Sequence, residues 1–319
     1  MDFEILVSNL TNPTLLFFVL GLLAATIKSD LEIPPSSSKF IALYLLFSIG
    51  FKGGQELALS GFSNEIIYAL LFSILISALI PFYSFFILKS KLGVSNAGAV
   101  AATYGSVSAV TFVAAVTFLE VQQIDFGGHM VAVMALMESP AIIVGVILMR
   151  RYEKGDSGEG LGNIIKHSFT NGSVLMILGS LVIGLIADAK QAEGIKPFTT
   201  DIFKGFLAIF LLEMGMVTAK RFGAFRQYGW FALIFAIVMP AINGSLVAYA
   251  SQWVTDDTGN RFMFAILAAS ASYIAVPAAM RLAAPKADPG LYVPMALGIT
   301  FPFNITIGLP LYMLVVTAT

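Results

Sequence analysis

Two stretches, far apart in the chain, carry small hydroxylated residues at the same spacing. The first reads Thr103-Tyr104-Gly105-Ser106-Val107-Ser108-Ala109-Val110-Thr111. The second reads Ala269-Ser270-Ala271-Ser272-Tyr273-Ile274-Ala275-Val276-Pro277. Ser106-Val107-Ser108 and Ser270-Ala271-Ser272 stand at an offset of 164. Both stretches lie in apolar runs of helical length. Gly105 and Pro277 weaken such helices, Gly through its backbone freedom and Pro by losing a donor and clashing with the preceding turn. A broken helix leaves backbone N–H groups free where its second half begins, and the dipole there attracts an anion. Carbonyls freed at the other half attract a cation such as Na+. A lone Ser-x-Ser also serves close packing of membrane helices; its paired recurrence is what points to a binding site.

Other polar residues sit in apolar surroundings. Glu138 lies two residues before Pro140. A charged side chain at the centre of a spanning helix costs roughly 2.5–3.5 kcal/mol, and such residues mark ion or proton paths. Glu213 is similar, but Lys220 and Arg221 follow closely and place it nearer one face. Asn304, between Pro302 and Gly308, offers an amide oxygen to a cation or a hydrogen bond to a neighbouring helix. Glu138 and Asn304 are thus candidates for ion coupling. Lys52 and Glu56, four residues apart, are expected to pair on one helix face. His129 and His167 are expected at the interfaces. No Gly-Lys-Ser/Thr phosphate loop, His-Glu-x-x-His motif or serine nucleophile elbow is present, and there is no cysteine. The residues therefore speak against an enzyme and call for no cofactor.

The elements that must hold these residues follow from composition. Hydrophobic residues make up 58% of the 319 and charged residues 12%, against about 25% charged in a soluble domain. Mean hydropathy is +0.87. A chain this apolar takes the lipid bilayer as its solvent, and its net charge of −1 gives no footing for nucleic acid. About 20 apolar residues span a membrane. Ten candidates occur, at 13–27, 40–59, 65–88, 95–119, 128–149, 168–187, 198–218, 229–252, 261–283 and 291–317. The N-terminus has no basic residues before the first apolar run, so that run is expected to be a retained helix rather than a cleaved signal. With both termini outside, 13 of the Lys and Arg fall on the inner side and 5 on the outer, which is the favoured orientation.

The chain also repeats itself in order. Asn12-Pro13-Thr14-Leu15-Leu16 matches Asn171-Gly172-Ser173-Val174-Leu175. Leu46 to Gly50 matches Leu211 to Gly215, and Met134-Ala135-Leu136 matches Met295-Ala296-Leu297, at offsets between 158 and 165. Five helices per copy put the second copy into the membrane upside down, a common plan among secondary transporters. The expected fold is an all-α polytopic membrane protein of two inverted five-helix repeats, 1–150 and 164–319, joined by a cytoplasmic linker at 151–163, with the fourth and ninth helices discontinuous.

At Gly105-x-Val107-Ser108-x-x-Thr111 through Leu119-Glu120, at Glu138-Ser139-Pro140-Ala141, and at Ala268-Ala269-Ser270-x-Ser272-x-Ile274 with Pro277, Arg281, Pro289 and Tyr292, the sequence resembles the sodium-dependent bicarbonate transporter family. The likeness runs through nearly the whole chain. It implies ten helices, a homotrimer in the inner (plasma) membrane, and uptake of bicarbonate with Na+ where the two broken helices cross. By position it implies substrate contacts from Gly105, Ser106, Ser108, Thr111, Ser270, Ser272 and Tyr273, with Na+ at Ser108, Ser270 and Ser272. A cytoplasmic regulatory protein is also implied, although the central linker is shorter here than in the cyanobacterial members. Tyr273 stands where those members have Asp. The residues alone leave open another small carboxylate as cargo, coupling to protons through Glu138, or a channel.

Overall fold

The computed structural model describes residues 13–60, 63–153, 162, 172–225, 229–273 and 275–319. Among them every regular element is a helix. The central linker, apart from its two ends, lies outside the described residues, as do Asn12 and Asn171 of the repeat match, Lys154, Lys166, His167, Arg226 and Ile274.

The chain first forms α1 (Pro13–Thr26), α2 (Pro35–Ser60) and α3 (Asn64–Leu92). Ser63 caps α3 by accepting from the Ile66 N–H, as a short hydroxyl at a helix start should. Gly93, at φ +76°, turns the chain directly into the next helix, a backbone shape that Gly adopts at little steric cost. There follow α4 (Val94–Gly105), α5 (Ala109–Val121) and α6 (His129–Tyr152), then α7 (Gly172–Ile186), α8 (Ala189–Lys196) and α9 (Phe203–Phe225). The last group is α10 (Gly229–Ala250), α11 (Thr258–Ala269), α12 (Ala275–Ala283) and α13 (Pro289–Ala318). The last of these is one helix with π-helical stretches at Met295–Thr300 and Asn304–Gly308.

Among the described residues six segments are long and apolar enough to cross a membrane: α3, the α4–α5 run Val94–Val121, α6, Ala189–Lys220, Gly229–Trp253 and α13. Of the other expected spans, the first and sixth are described only in part, with apolar helical stretches at Leu16–Thr26 of α1 and Leu175–Ile186 of α7. Lys39, Lys52 and Glu56 punctuate α2. The ninth expected span is cut into α11 and α12, of 12 and 9 residues.

Packing separates a lipid face from a core. On α3 the exposed Ile67, Leu71, Leu75, Leu79, Phe82 and Phe86 recur every three or four residues, while Ile66, Ala69, Ser73, Ile76, Ile80 and Ser84 face inward. The α4–α5 run is buried almost throughout. It is held by α3 and α6 on one side and by α11 and α12 on the other.

Glycines set two close crossings. A Cβ on Gly21 of α1 would strike the Leu212 carbonyl of α9, and one on Gly215 of α9 would strike the Phe18 carbonyl of α1. Likewise Gly50 and Gly54 of α2 lie against Ile177 and Leu181 of α7, and Gly184 of α7 against Phe51 of α2. Small residues at these points let the backbones approach, as membrane helices require.

Candidate functional site

The two breaks begin alike. Ser106 ends α4 in an extended conformation, φ −87° and ψ 174°, with its N–H on the Ala102 carbonyl. Ser270 ends α11 at φ −78° and ψ 168°, with its N–H on the Leu267 carbonyl. Two residues later, Ser108 is the N-cap of α5, its Oγ accepting from the Thr111 N–H at 3.2 Å. Ser272 also reaches the helix that follows it, its Oγ accepting from the Val276 N–H of α12 at 3.4 Å.

The breaks are bonded to each other. The Ser108 N–H donates to Ser270 Oγ at 3.0 Å, and the Ser272 N–H donates to the Thr103 carbonyl at 2.9 Å. Ser270 Oγ in turn donates to the Leu267 carbonyl at 2.8 Å. Extended residues that would otherwise leave buried N–H groups unpaired thus satisfy each other across the two halves. Ser106, Ser108, Thr111, Ser270 and Ser272 are all buried. Gly105 packs against Pro81 of α3 and Ala141 of α6, with no room for a Cβ.

A small cavity of about 40 Å³ lies at this crossing. Ser108 and Ala109 line it from the start of α5, Ser272 and Tyr273 from the approach to α12, and Glu138 from α6. A single water needs about 10–15 Å³, so the space holds roughly three waters or an anion of a few heavy atoms. Two helix N-termini border it, each a favourable place for negative charge. Glu138 contributes a carboxylate, which forms no hydrogen bond or ion pair among the described residues. The Tyr273 hydroxyl interacts with the Ser108 side chain but closes no hydrogen bond of regular geometry.

Of the expected residues, Ser108, Ser272, Tyr273 and Glu138 meet at the cavity. Ser106, Thr111, Ser270 and Gly105 support it from behind, and Ser106 Oγ is buried without a partner. Asn304 is placed differently. Its Nδ2 donates to the Ala269 carbonyl at 2.8 Å, and its Oδ1 accepts from Tyr312 Oη at 3.0 Å. Its amide thus pins the end of α11 to α13 and does not line the cavity. Some of the freed carbonyls are also engaged: Ala102 and Thr103 on α4, and Leu267 and Ala269 on α11, each accept a hydrogen bond. Lys52 and Glu56 form no direct ion pair.

Thr103, Leu46, Met134 and Ile177 were not foreseen at the site. Thr103 acts through its backbone carbonyl, which no side-chain pattern reveals. Its position one turn before Ser106, in the same hydroxylated stretch, is the only signal.

Larger cavities open toward both ends of α2. One, of about 500 Å³, is lined by Ile49, Lys52, Glu56, Glu120 and Asp125, and its Glu120 pairs with Lys204 at 2.9 Å. The other, of about 800 Å³, is lined by Ser38, Lys39, Phe210, Glu213 and Tyr273. Among the described residues no group of three or more His, Cys, Asp or Glu is arranged to hold a metal ion.

A family model described as the Na+-dependent bicarbonate transporter superfamily matches residues 13–317. No individual curated protein matches the sequence.

Proposed function

Because the chain belongs to the Na+-dependent bicarbonate transporter superfamily, we propose that it is a secondary carrier that takes up bicarbonate with Na+ by alternating access. The observation that carries this reading is the crossing itself. Two helix breaks are tied by the Ser108–Ser270 hydrogen bond, and two helix N-termini border one cavity of anion size. Bicarbonate, with four heavy atoms and one negative charge, suits such a space. Ser108, Ser272 and Tyr273 would supply hydroxyls to it, with Thr111, Ser106, Ser270 and Gly105 holding them in place. Na+ would draw on the Ser108 and Ser272 oxygens and the Glu138 carboxylate, which line the cavity. A cation there would also offset the repulsion between Glu138 and the anion.

The proposal extends to the architecture: ten helices in two inverted repeats, 1–150 and 164–319, with the 151–163 linker cytoplasmic and both termini outside. The like geometry of the two breaks supports it. So do the reciprocal crossings of α1 with α9 and α2 with α7, in which the first helix of each half meets the second helix of the other. The family resemblance adds a homotrimer in the inner membrane.

A second reading, coupling to protons, is favoured by the unpaired Glu138 at the cavity. Thermal unfolding in detergent tests binding for both. A ligand at about 100 times its Kd stabilises by about 2.7 kcal/mol. Na+ and bicarbonate together should raise the melting temperature by more than the sum of their separate effects. No shift with either, relative to choline chloride, would count against a bicarbonate site.

A further inference from the structure

We propose that Tyr273 is the gate between the central cavity and the large cavity on the Lys39 side, so that movement of this one side chain joins the two. The inference rests on the carrier reading for its purpose, but not for its geometry.

Tyr273 lines both the 40 Å³ and the 800 Å³ cavities, and no other described residue is common to their linings. On the opposite side, no described residue lines both the central and the 500 Å³ cavities. Along α2 the two larger cavities stand equally far from Leu46, at Leu43 and at Ile49, about 4.5 Å of helix rise each. What distinguishes the Lys39 side is the ring of Tyr273, which borders both spaces.

Few contacts fix that ring. Tyr273 belongs to neither α11 nor α12, but to a bend between them. Its hydroxyl interacts with the Ser108 side chain without closing a hydrogen bond of regular geometry. Its ring meets Phe301 edge-on with centroids 6.5 Å apart, near the outer limit for aromatic pairs. The link itself is anchored next door, where the Ser272 N–H is bonded to Thr103. The side chain can thus change rotamer while the backbone of the break stays in place. An aromatic ring blocks a path that a smaller side chain at this position would leave open, and its hydroxyl keeps a neutral donor beside Ser108.

The absence of cysteine from the chain allows single-cysteine accessibility with a membrane-impermeant thiol reagent. Ala42→Cys reports the large cavity and identifies its side; Ala135→Cys reports the central one. From the Ala42 side, Ala135→Cys should react at least tenfold more slowly than Ala42→Cys. Adding Tyr273→Ala should remove that difference, with no change from the other side, whereas Tyr273→Phe should preserve it. Equal rates at the two cysteines with Tyr273 intact would overturn the gate. So would an Ala135→Cys rate unaltered by Tyr273→Ala. Should Tyr273→Ala fail to accumulate, Tyr273→Val makes the same test. Bicarbonate plays no part in the readout, so a carrier of another solute would still show the gate. Conversely, bicarbonate uptake by a protein with an open Ala135 would refute the gate alone.

Discussion

Ser108 and Ser270, 162 residues apart in sequence, share one hydrogen bond: the Ser108 amide donates to the Ser270 hydroxyl oxygen at 3.0 Å. That bond joins the start of α5 to the end of α11. Removing the acceptor leaves a buried N–H unpaired, at a cost of about 1–3 kcal/mol. Ser270→Ala should lower the melting temperature in detergent and reduce transport about tenfold or more, while Ser270→Thr, which keeps the oxygen, should retain both in larger part. A Ser270→Ala protein as stable and active as the parent would show that the bond does not hold the crossing together.

Helix spacing makes a second prediction. A Cβ at Gly54 would run into the Leu181 carbonyl, whereas nothing lies within 4 Å of one at Gly179. Overpacking a close contact costs about 1–3 kcal/mol. Gly54→Ala should therefore depress thermal stability clearly, and Gly179→Ala should change it little. Melting curves of the two proteins side by side decide the matter; equal stability would remove the close α2–α7 crossing.

Asn304 is predicted to act by position rather than by binding Na+. Asn304→Ala breaks its bonds to Ala269 and Tyr312 and should destabilise the protein, with the Na+ half-saturation of any remaining transport nearly unchanged. A rise of tenfold or more in that half-saturation, at unchanged melting temperature, would instead make it a Na+ ligand.

Glu138 separates the two coupling schemes. If its carboxylate helps bind Na+, Glu138→Gln should weaken the Na+ dependence of uptake by about tenfold at every pH. If it carries the coupled proton, the same variant should lose the pH dependence of uptake and keep its response to Na+. Uptake rates across a matrix of Na+ concentration and pH distinguish the outcomes.

Much of the site was legible because its breaks have chemical causes. Gly105 is the last residue of α4, where the sequence placed the weak point. Pro277 acts less directly. It is the third residue of α12, where its missing N–H has no intrahelical partner to lose, and the chain is already extended from Ser270. The break was thus foreseen, but not its exact limits. The support shell was less legible. Thr103 contributes a backbone carbonyl, and Asn304 was read for its oxygen when its amide hydrogens hold α11. Nor did hydropathy register α8: Ala189–Lys196 is short and charged and reads as a linker. The family resemblance, carried by short motifs spread along the chain, is borne out over residues 13–317.

The most direct test of the central claim is uptake of labelled bicarbonate into proteoliposomes, with and without an inward Na+ gradient. The account predicts saturable uptake that the gradient accelerates severalfold and that Ser108→Ala or Ser272→Ala impairs. Uptake no faster than in protein-free liposomes, with the gradient present, would contradict it.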